Sequence, residues 1–83
     1  SKRDPQPEIK QGLEMIEKGL AINPDFAELY ALKGRLLLIQ ARATNNQSTT
    51  HQSVEALEKA LRINQWLQFE YQPTLLEARQ LFH

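Results

Sequence analysis

The residues of this chain that could do chemistry are few, and their spacing does not assemble a reaction site. There are two histidines, His51 and His83, and no cysteine. Neither histidine has a carboxylate or a second histidine at metal-ligand spacing, so neither reads as a ligand or a general base. Without cysteine there is no thiolate nucleophile, no disulfide and no sulfur metal site. Glu14, Glu17, Glu55 and Glu58 come in two close pairs, but they fall on outer helix positions among basic neighbours and read as a solvated charged face. The glycines, Gly12, Gly19 and Gly34, all lie inside helical patterns, which leaves no loop to cradle a phosphate. The expectation is a non-enzyme with no catalytic residue, no metal and no cofactor.

Bulk properties narrow the class further. The chain has 83 residues, enough for one domain, and a chain this short hides only about 60% of its unfolded surface. Ten basic residues balance ten acidic ones, so there is no general pull toward nucleic acid or anionic lipid. The longest apolar run, residues 36–39, cannot span a bilayer. Residues 1–10 are polar and carry Pro5 and Pro7, unlike a signal-peptide core. These features predict a soluble cytoplasmic helical piece, with no nucleic-acid or membrane partner.

The elements follow from one repeated stretch. Residues 12–24, GLEMIEKGLAINP, return as residues 53–65, SVEALEKALRINQ. Glu14/Glu55, Glu17/Glu58, Lys18/Lys59, Leu20/Leu61, Ile22/Ile63 and Asn23/Asn64 are identical, and most other pairs stay small or apolar. Residues 1–6 are expected to be disordered, with Asp4 able to cap a helix that begins near Pro7. Ile9, Leu13, Ile16 and Leu20 mark that helix, supported by a Glu14–Lys18 pair and ended by Asn23-Pro24. Asp25-x-x-Glu28 has the form of a capping box for a second helix, apolar nearly all round, running to about Ala43. Residues 44–48 read as a loop, after which Ser48 or Thr49 caps a third helix. That helix buries Val54, Leu57 and Leu61, and Glu55–Lys59 and Glu58–Arg62 brace its outer face. Residues 66–83 predict a terminal helix kinked or broken at Pro73, with Trp66, Phe69 and Tyr71 closing the open end of the stack or, as the alternative, forming an aromatic partner surface.

The repeat resembles the tetratricopeptide repeat, a pair of antiparallel helices of about 34 residues. Tyr30, Gly34 and Leu37 fill the first-helix places, with Lys33 where a leucine is usual. Gly12, Ile16, Gly19 and Pro24 fill the second-helix places, and Ser53, Leu57, Ala60 and Gln65 fill them again with the proline replaced. Residues 27–64 would be one whole unit, preceded by the second half of another. Ser53 follows Gly12 by 41 residues, about seven more than the usual unit. The excess is expected partly to lengthen the helices and partly to sit in the loop within residues 42–52. The long-looped repeat combined with the tail Tyr71-x-Pro73-x-Leu75-Leu76-x-Ala78-x-x-Leu81 looks like the end of large bacterial signalling proteins, some of which carry a serine/threonine kinase domain.

The resemblance implies an all-α, right-handed array of three main helices and a kinked C-terminal cap, with residues 7–83 as the helical domain. It implies a protein–protein interaction scaffold, because the first helix of each pair lines a concave groove that takes a peptide or protein. Here that face carries Glu28, Ala31, Arg35, Leu38, Ile39 and Arg42. A competing role for Leu38 and Ile39 is to cover the terminal helix. The alternative function is a structural cap or self-association element of a larger signalling protein. In that case a homodimer would form through the helix face of Ile9, Leu13, Ile16 and Leu20.

Overall fold

The computed structural model describes residues 5–81. Four α-helices follow one another: α1 Gln6–Ile22, α2 Ala27–Thr44, α3 Gln47–Ile63 and α4 Gln68–Leu81, with a short 3-10 turn, Gln65–Leu67, leading into α4. No strand occurs among the described residues, and the fold is all-α. Helix α1 starts at Gln6, inside the segment expected to be disordered. The Pro5 carbonyl accepts the Ile9 N–H at 3.0 Å, and Gln40 Nε2 of α2 donates to Gln6 Oε1 at 3.4 Å. Asp4, the expected cap, lies outside the described residues.

The two repeated segments end in the same turn. Asn23 and Asn64 are both extended, with φ −135° and −139°, and their N–H groups return to Gly19 and Ala60 at 2.9 Å. Each side-chain oxygen then accepts an N–H two residues on, from Asp25 at 3.2 Å and Trp66 at 3.1 Å. Each backbone oxygen accepts a third, from Phe26 and Leu67. Both are Asx turns, in which the asparagine amide substitutes for a turn carbonyl. Gln65 stands where Pro24 does, so the asparagine rather than the proline is common to both helix ends. The capping box expected at Asp25 and Glu28 does not form, since α2 begins behind an extended Phe26 with no side-chain cap.

The added length lies almost wholly in helix. α2 runs to Thr44, α3 starts at Gln47, and only Asn45 and Asn46 join them. Asn45 takes the left-handed conformation (φ 52°) that asparagine tolerates better than most residues. Asn46, not Ser48 or Thr49, caps α3, its side chain accepting the Thr49 N–H at 3.1 Å. The loop expected over residues 44–48 is therefore shortened to two residues.

Small residues let α2 and α3 close on each other. A Cβ on Gly34 would stand 2.5 Å from Leu57 Cγ and 3.1 Å from the Ser53 carbonyl oxygen. Ser53 Oγ, fully buried, donates to the Gly34 carbonyl at 2.7 Å. One turn away, Lys59 Nζ sits 4.7 Å from the centre of the Tyr30 ring. These pairings, 30 with 59 and 34 with 53 and 57, make the two helices antiparallel. The core is Ala31 and Leu38 of α2, Val54, Leu57 and Ala60 of α3, and Tyr71, Leu75 and Ala78 of α4. α4 runs unbroken through Pro73, and the interruption expected there falls earlier, at the 3-10 turn. An interior proline costs about 3 kcal/mol. Burial of Tyr71, Leu75 and Ala78 against α2 and α3 offsets that cost, at about 1.5–3 kcal/mol per large side chain.

Candidate functional site

The six residues expected to line a binding face divide between core and surface. Ala31 and Leu38 are buried in the central cluster, Leu38 among α4 residues as the competing reading had it. Ile39 is partly exposed and does not join that cluster. Glu28, Ile39 and Arg42 are exposed, and Arg35 is half-buried. Leu32, passed over in the sequence, is exposed as well. The exposed stripe of α2 is thus Glu28, Leu32, Arg35, Ile39 and Arg42, whose steps of four, three, four and three trace one helix face. On a helix apolar nearly all round, periodicity alone does not pick out the face that remains open.

Two of these cations already reach α4. The Arg35 guanidinium lies 4.6 Å from the centre of the Tyr71 ring and 3.8 Å from Glu70 Oε2. Arg42 pairs with Glu77 about two helical turns further on. Arg35 is therefore a stacked, partnered side chain, not a free guanidinium over its own stem. Burial pushes the Tyr71 hydroxyl above its ordinary value, with Glu70 and Glu28 adding to the effect and Arg35 opposing it. Each exposed ion pair contributes little, about 0–1 kcal/mol, but together they fix α4 along one edge of the stripe. What they leave between them is aliphatic, Leu32 and Ile39.

The other edge of the stripe is α1. Gly12 and Gly19 bring it close to α2: a Cβ at either would meet the tip of Leu36 at 2.9 Å or of Leu29 at 2.6 Å. Ile9, Ile16 and Leu20 are buried. The face expected to be bare for a second copy is thus covered within one chain, apart from partly buried Leu13. Lys33, in the place expected for leucine, ties the same two helices by an ion pair to Glu17 at 2.8 Å. Two large apolar residues of α1 stay open, Ile22 at its end and Met15, 71% exposed, beside a hollow lined by Gly12, Ile16, Leu29, Leu32, Arg35 and Leu36.

Away from this face, several expected pairings change partner. Glu58 is engaged by Arg79 of α4 at 2.8 Å rather than by Arg62. Glu55 faces His51 at 3.3 Å, a carboxylate neighbour that the sequence reading did not give this histidine. Both groups of that pair are about half exposed. Of the three aromatics expected to close the stack, Tyr71 does so, while Trp66 and Phe69 stack on each other in solvent, their ring centres 6.0 Å apart. Trp66 belongs to the 3-10 turn and Phe69 to the first turn of α4, which carries both past the core. His83 lies outside the described residues. Among the described residues no group of three metal-ligating side chains comes together, and no helix is long and apolar enough to cross a membrane. Comparisons with protein-family models, with curated proteins and with solved structures returned no match.

Proposed function

We propose that this chain is a tetratricopeptide-like interaction module that holds another polypeptide on the exposed stripe of α2 and takes no part in catalysis. The observation that carries the reading is the stripe itself. Leu32 and Ile39 lie open to solvent, flanked by Arg35 and Arg42, on a helix packed against α1, α3 and α4. Aliphatic anchors with charged rims are how a helical groove takes a peptide. The close contact of Gly34 with Ser53 and Leu57, at the small positions of the motif, supports the family resemblance. A cytoplasmic setting, at the end of a larger bacterial signalling protein, belongs to the same proposal.

The test is a paired substitution, Arg35→Glu with Ile39→Glu. Both side chains are at least partly exposed; losing the Arg35 contacts to Glu70 and Tyr71 should cost about 1–2 kcal/mol, and the domain should keep its helical circular dichroism. The bound polypeptide should be lost on affinity capture from the source cells. Retention of that polypeptide by the folded double variant would show that the stripe is not the binding surface.

A further inference from the structure

The internal repeat supplies a picture of what the hollow beside Met15 is shaped for. α2 lies against Ser53 and Leu57 of α3, with Ala56 beside its Tyr30 and Lys33, and its Arg35 and Arg42 reach Glu70, Tyr71 and Glu77 of α4. Their counterparts in α1, each 41 residues earlier, are Gly12, Met15 and Ile16. These are the three α1 residues that line the hollow. The turns at Asn23 and Asn64 are the same, and α2 and α4 start at residues 27 and 68, again 41 apart. The hydrogen bonds that turn α1 toward α2 are thus those that turn α3 toward α4, although Leu67 lies in a 3-10 turn where Phe26 is extended. The crook of α3 and α4 holds α2, whereas among the described residues no helix fills that of α1 and α2. Ala56 is 7% exposed under α2, whereas its counterpart Met15 is 71% exposed.

Resting on the reading that the chain binds a polypeptide, we infer that this hollow seats one amphipathic α-helix of a partner, in the place that α2 takes on α3 and α4. Its chemistry follows from the floor. Where α2 meets the carboxylates of Glu70 and Glu77, the incoming helix meets Leu29, Leu32 and Leu36, with Arg35 at the edge. It therefore presents aliphatic side chains at the positions where α2 carries Arg35 and Arg42. Gly12 replaces Ser53, with only the flexible tip of Leu36 beside it, so a small residue, glycine or alanine, faces it. Lys18, counterpart of Lys59, is placed to cover an aromatic residue one turn before that small residue, as Lys59 covers Tyr30.

The probe is a synthetic peptide of residues 24–46 carrying Arg35→Leu and Arg42→Leu, titrated onto the 83-residue chain by calorimetry and by amide chemical-shift mapping. The expected result is saturable one-to-one binding, with the largest shifts at Gly12, Met15 and Leu36. Met15→Glu should weaken it at least tenfold, and Trp66→Ser should leave it unchanged. Met15 is exposed enough for Met15→Glu to fold, which its circular dichroism would verify. Absence of binding, or binding indifferent to Met15→Glu, overturns the inference. A concentration-dependent dimer in sedimentation that Met15→Glu abolishes also overturns it, by making a second copy the occupant. Failure here with loss of the cellular partner in the Arg35→Glu, Ile39→Glu variant would sink this inference and leave the proposed function standing.

Discussion

At the scale of single residues, the contacts that matter are those where a missing or added atom has nowhere to go. Gly34 faces the branch point of Leu57 and a backbone oxygen, neither of which can swing aside. Gly34→Ala should therefore lose stability despite better helix propensity, since overpacking costs about 1–3 kcal/mol and alanine returns at most about 1. Gly12 meets only the end of a leucine side chain, and Gly12→Ala should be neutral or stabilising by up to about 1 kcal/mol. Chemical denaturation of the two variants distinguishes these outcomes, and an equal loss in both would contradict the packing argument. Tyr71 gives a pH signature. Its hydroxyl titrates higher in the folded chain than its ordinary 10.0, so folding favours the protonated form. The stabilisation is full below pH 10 and declines as pH rises through the raised value. Lysines titrate in the same range, so the measurement is the difference between the parent and Tyr71→Phe. That difference should be flat at pH 8–9 and fall above 10.

At the scale of elements, two asparagine devices set where helices stop and start. Asn46 caps α3 at a connection of only two residues, so Asn46→Ala should cost about 1 kcal/mol, read as a lower thermal midpoint. An unchanged midpoint would mean that another group satisfies the Thr49 N–H. The helices themselves were legible from the spacing of Ile9, Leu13, Ile16 and Leu20 and of Val54, Leu57 and Leu61. The caps were less so, because Asp25, Ser48 and Thr49 have the right side chains for capping, and only the path of the chain selects Asn46 instead. Pro73 misled for a related reason: local preference says break, and the burial of Tyr71, Leu75 and Ala78 overrides it. The exposed face of α2 was partly legible. Glu28, Arg35, Ile39 and Arg42 lie on it, but Ala31 and Leu38 could not be assigned to the core until α4 was in place beside them.

At the scale of the whole molecule, the repeat frames the helix between its copies, the one that carries the proposed binding surface. α1 and α3 carry the same turn, the same charged outer positions and the same small inner ones, and both pack on α2. α2 closes against α3, is pinned to α4 by Arg35 and Arg42, and retains one open stripe. The central claim is that this stripe, and not the back of the array, meets another polypeptide. The most direct measurement places a photoreactive residue at Ile39 in one version of the chain and at Gln52, exposed on α3, in another. Irradiated in the source cells, the Ile39 version should yield a discrete crosslinked polypeptide, and the Gln52 version should not. A crosslink from Gln52 with none from Ile39 would contradict the account.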